Sequence, residues 1–73
     1  MELKTAKSIV TRLNKGLEPN ARGRLPVTLY EDYSGRGMFG TKTSAVVLPG
    51  YMITDQMRKK YRVDNMGLDM VIY

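Results

Sequence analysis

Apolar residues at Leu3, Ala6, Ile9, Val10 and Leu13, with Leu17 beyond, follow the three- and four-residue steps of an amphipathic helix, and predict one from Leu3 to Lys15. Gly16 stands where a helix ends in a left-handed glycine, with Leu17 as its folded-back apolar partner. The segment Glu18 to Leu25, with Pro19, Asn20 and Gly23, reads as a loop. The period then changes to two: from Pro26 to Tyr33 the pattern predicts a strand with Val27 and Leu29 inward, Thr28, Tyr30 and Asp32 outward, and Glu31 on the core side near its end. A β-branched run, Thr41 to Leu48, gives a second strand stopped by Pro49-Gly50.

Tyr51-Met52-Ile53 is short and apolar and can add a strand. A short helix follows from an N-cap at Thr54 or Asp55 to Tyr61, with Met57 and Tyr61 one turn apart for docking. Asp64-Asn65-Met66-Gly67 reads as a turn, and Leu68 to Tyr73 as a final strand with Leu68, Met70 and Ile72 on one face. The expected fold is a single small α+β domain over residues 1–73: an antiparallel sheet of three or four strands with an N-terminal helix and a short second helix, in the order α-β-β-α-β.

Between the first two strands lies Asp32-Tyr33-Ser34-Gly35-Arg36-Gly37-Met38-Phe39-Gly40. Its glycines spell G-x-G-x-x-G, but a dinucleotide fingerprint needs a helix opening on the glycines, and here a β-branched strand follows. A kinase glycine loop has the hairpin shape, yet Lys42 stands where that loop carries a β-branched residue, and no H-R-D or D-F-G sequence follows. The loop therefore reads as a hairpin tip for recognition, with Met38 and Phe39 as apolar anchors in a rim of Arg36, Lys42, Arg58 and Lys59. A competing reading makes it an anion nest: the backbone N–H groups of Ser34, Gly35, Arg36 and Gly37 hold a phosphate, Arg36 pairs with it, and Tyr33 or Phe39 stacks on a base. A third lets Met38 and Phe39 fold back over the sheet as mere packing.

Composition narrows the chemistry. The 73 residues include no cysteine and no histidine, so disulfides, thiolate metal sites and the commonest general bases are missing, and the chain is expected to be neither an enzyme nor a cofactor protein. No apolar run approaches a membrane span and no signal-peptide core opens the chain, so a cytoplasmic protein is expected. A net charge of +5 predicts attraction to polyanions, whether nucleic acid, nucleotides or acidic protein surfaces. Arg58, Lys59, Lys60 and Arg62 form the densest cationic cluster, also explained by the helix dipole near a C-terminus, and a basic face of the first helix can lie along phosphates. Aromatic residues are too sparse on one face for a stacking platform. Six methionines and five tyrosines exceed what so small a core needs and leave a homodimer open.

The loop motif, together with Asn65-Met66-Gly67-Leu68-Asp69-Met70-Val71-Ile72-Tyr73, resembles a group of small bacteriophage and prophage proteins. That resemblance covers about a quarter of the chain. It carries over no site; it implies a phage accessory protein acting in the host cytoplasm by binding and blocking a host or defence protein, as anti-CRISPR proteins do, or by sequestering a signal nucleotide.

Overall fold

The structure, a computed structural model, describes residues 1–35 and 39–73. Helix α1 spans Leu3–Asn14 and buries Ala6 and Ile9, as its period requires. It stops at Gly16, which takes φ +82. Leu17 donates its N–H to the Asn14 carbonyl at 2.9 Å but remains 39% exposed, so it does not fold back as an apolar cap. The following loop is self-supporting: the Asn20 side-chain oxygen accepts from the N–H groups of Arg22 and Arg24 at 2.9 and 3.1 Å.

Strands β1 (Thr28–Tyr33), β2 (Thr43–Pro49), β3 (Val63–Met66) and β4 (Asp69–Ile72) form one antiparallel sheet in the order β1-β2-β4-β3. The α+β class with a helix at each of the expected places is as the pattern predicts. The fourth strand, however, does not come from Tyr51-Met52-Ile53. Gly50–Met52 is a single 3-10 turn, and β3 arises from the segment read as a turn. The true turn is one step later, at Gly67-Leu68, where Gly67 takes φ +63, as the first central position of a tight hairpin demands. Leu68 consequently leaves the strand and stands 98% exposed, while Met70 and Ile72 keep the inward face. Helix α2, Asp55–Lys60, starts at Thr54, whose hydroxyl accepts from the Met57 N–H at 3.2 Å.

The core lies between the helices and one side of the sheet. Ala6 and Ile9 meet Val27, Val46, Leu48 and Ile72, and Leu13, Met57 and Tyr61 close its rim. Leu48, Ile72, Val27, Val46 and Val71 are the largest fully buried side chains, each worth about 1.5–3 kcal/mol of transfer free energy. Among the described residues no helix is long and apolar enough to cross a membrane.

Two features aim the sheet's other side. Tyr30 pairs with Ala45, but Tyr33 pairs with Thr43, so β1 carries an extra residue between them. This bulge puts Tyr33 on the same side as Tyr30 and leaves Glu31 exposed, not core-facing as strict alternation predicts. The α-amino group of Met1 donates to Thr43 Oγ1 at 2.8 Å and to the Ser44 carbonyl at 3.2 Å, which pins the start of β2. Both roots of the glycine loop are thereby held.

Candidate functional site

The side of the sheet away from the helices is covered by tyrosines because its floor is small. Ala45 and Val71 are wholly buried there, and cross-strand neighbours in an antiparallel sheet share a face. The Tyr33 ring lies in the shallow space above this floor, 5.4 Å from the Tyr30 ring edge-on and 5.1 Å from the Tyr73 ring. Its hydroxyl donates to Asp64 Oδ2 at 2.6 Å, joining the end of β1 to β3 on the opposite edge. Tyr73 is placed by continuation of the β4 ladder, its N–H donating to the Arg62 carbonyl at 3.0 Å.

The two sequence motifs therefore meet. Tyr33 belongs to the loop motif, Tyr73 closes the second, and Asp64 immediately precedes it. Gly35 seals the junction: a β-carbon there would lie 2.5 Å from Tyr73 Oη, 2.6 Å from its Cζ and 2.8 Å from Asp64 Oδ2. Only a glycine backbone fits that close. Beside this clasp is an open cavity of about 310 Å³ lined by Tyr33, Ser34, Gly35, Val63, Asp64 and Asn65.

The electrostatics identify the clasp as a holder. Burial, then the hydrogen bond to Asp64 and its charge, push the Tyr33 phenol up to about 12. The Tyr73 phenol is also raised, by burial first and then by Asp64, with the Arg62 guanidinium opposing in part. Both hydroxyls remain protonated donors at neutral pH, the wrong state for a tyrosinate base or nucleophile. Asp64 places a carboxylate in the lining of this cavity, and the Tyr33 ring and hydroxyl are engaged within the clasp. Among the described residues no group of three or more Asp and Glu side chains could hold a metal ion.

A raised phenol gives stability that depends on pH with a definite sign. The stabilisation is complete below about pH 10, where the unfolded phenol is still protonated, and is lost as pH rises towards 12. Denaturant unfolding across that interval is expected to show falling stability, and Tyr33→Phe is expected to flatten the fall. An unchanged slope in the variant would remove Tyr33 as its source.

Other predicted site residues fall in different places. Phe39 is 97% exposed at φ +46, followed by Gly40 at φ +87, so it does not fold back over the sheet. Lys42 is exposed near the root of β2. Arg36, Gly37 and Met38 lie outside the described residues. Arg58 and Lys59 are exposed on α2, which packs on the helical side of the sheet through Met57, whereas the clasp lies on the other.

On the helical side, Arg12, Lys60 and Tyr61 stand between two adjoining cavities of about 280 and 300 Å³, the second also lined by Lys4, Thr5 and Ser8. Lys60 Nζ sits 5.7 Å from the centre of the Tyr61 ring. Asp64 and Tyr73 are clasp residues that the sequence pattern did not single out as a site, because Asp64 lies 31 positions from its partner Tyr33 and no local spacing links either residue to the glycine loop. In comparisons with family models, curated proteins and solved structures, the chain matches none.

Proposed function

We propose that the chain is a non-enzymatic binding protein of the phage accessory kind, which inhibits a bacterial host or defence component in the cytoplasm by protein contact through its hairpin tip. The observation that carries this reading is Phe39, the sole phenylalanine, held almost fully in solvent at φ +46. A left-handed conformation costs a side-chain-bearing residue about 1–2 kcal/mol, and the exposed ring recovers nothing from burial within its own domain. Such an arrangement is rewarded when the ring enters a partner's pocket.

The clasp supplies what such a tip needs. Tyr33, Asp64, Tyr73 and Gly35 hold one root of the loop against the sheet, and Met1 with Thr43 holds the other. Less ordering entropy is then lost on association. Lys42 adds charge beside the tip for an acidic rim.

Affinity capture from a bacterial lysate, followed by measurement with the purified partner, tests this. Phe39→Ala is expected to weaken binding by about 30-fold, the loss of a central anchor worth about 2 kcal/mol, with the fold intact. Retention of no specific protein, or equal affinity in the variant, would sink the reading.

A further inference from the structure

Charge is segregated by layer. Helices α1 and α2 carry Lys4, Lys7, Arg12, Arg58, Lys59 and Lys60 against the single acid Asp55. The four strands carry Glu31, Asp32, Asp64 and Asp69 and no cation, with Lys42 and Arg62 standing just outside the starts of β2 and β3. A surface charged only for solubility interleaves its signs. Here the six helical cations are all exposed, and α1 contains no acid to pair with Lys4, Lys7 or Arg12 at helical spacing. Like charges at such spacing weaken a helix.

Four of these cations, Lys4, Lys7, Arg12 and Lys60, also line adjoining depressions. The two cavities that share Arg12 and Lys60 adjoin a broader groove of about 950 Å³ along α1, which Lys4, Ser8 and Arg12 border and which Lys7 and Lys15 extend. From Lys4 to Arg12 the helix rises about 12 Å, matching three to four base-pair steps of about 3.4 Å. The one aromatic ring in the groove, Tyr61, is packed against the core and covered by Lys60, so no free ring awaits an unstacked base.

We propose that the groove between α1 and α2 binds the phosphate backbone of duplex DNA, with Arg12 and Lys60 at its centre and the acidic sheet face turned away. Serine and threonine hydroxyls at Ser8, Thr5 and Thr54 supply neutral donors beside the cations. Contact is to backbone and not to base edges, so affinity is independent of sequence and steeply dependent on salt.

Fluorescence anisotropy with a duplex of about 20 base pairs decides this. With about four phosphates neutralised, affinity should fall about 150-fold between roughly 50 and 200 mM salt. Arg12→Gln with Lys60→Gln should reduce that fall to about 12-fold, as for two phosphates. Both residues are exposed, and circular dichroism checks that the variant stays folded. Phe39→Ala should bind the duplex as the unaltered chain does, which separates this site from the hairpin tip. The proposal is overturned by no binding at roughly 50 mM salt, by equal salt dependence in the double variant, by tighter binding of a single strand of the same length, or by a loss of duplex affinity in Phe39→Ala.

Discussion

Asn14→Leu is expected to lower stability by about 3 kcal/mol. Asn14 closes α1 and is the one buried polar residue among those described. Its Nδ2 donates to the Val27 carbonyl at 2.7 Å, and its Oδ1 accepts from the Val27 N–H at 3.0 Å. The amide thus imitates a neighbouring strand for a residue that is itself 1% exposed and lies just before β1 begins. Leucine would fill comparable space but leave a buried donor and a buried acceptor without partners, each costing about 1–3 kcal/mol. Against a net stability of about 3–5 kcal/mol for a core of this size, the variant would keep only about 0–2 kcal/mol, so that up to about half of it is unfolded at equilibrium. Urea denaturation measures the loss, and hydrogen exchange localises it: the Val27 amide should lose protection even in the residual folded fraction. A variant as stable as the parent would show that the paired bonds contribute nothing net.

Gly35→Ala should cost about 1–3 kcal/mol, the usual penalty for forcing extra atoms into a filled space. The added methyl meets the Tyr73 phenol and the Asp64 carboxylate. Tyr73 must swing away, giving up its ring contact with Tyr33. A double-mutant cycle separates this mechanism from a backbone effect. In a Tyr73→Ala background the obstructing ring is gone, so most of the penalty for Gly35→Ala should vanish. An identical cost in both backgrounds would place the effect in the loop backbone instead. Partner binding is a second readout, because a loosened root restores the freedom that the clasp removes.

These two residues mark where reading the chain succeeds and where it stops. The helix α1, both first strands and the start of α2 at Thr54 follow from periodicity and capping, which are local and written in adjacent residues. Strand β3 was hidden because Val63-Asp64-Asn65-Met66 is polar at its centre, and Asn-Met-Gly resembles a turn. Its strand character comes from pairing with β4, so tertiary context overrides composition. The glycine loop was legible as a special backbone, and Gly35 does serve a close approach. What it approaches, Tyr73 and Asp64, was not legible, since that depends on the bulge turning Tyr33 across the sheet. Asn14 gave no signal either: a polar residue at a helix end is usually solvated, and its burial depends on where Val27 arrives.

The strand order has a consequence for how the chain is made. β4 is the last strand in sequence, yet it sits inside the sheet between β2 and β3. During synthesis β2 therefore waits with one open flank until the ribosome releases Asp69 to Ile72, and β3 has nothing to pair with before then. Only β1 and β2 can pair as the polypeptide emerges, and the other half of the sheet waits for β4. A nascent chain stalled before Asp69 should leave the open flank of β2 and the segment Val63–Met66 protease-sensitive and prone to recruit a stray strand, and both should become ordered together once Asp69 to Ile72 clear the exit tunnel.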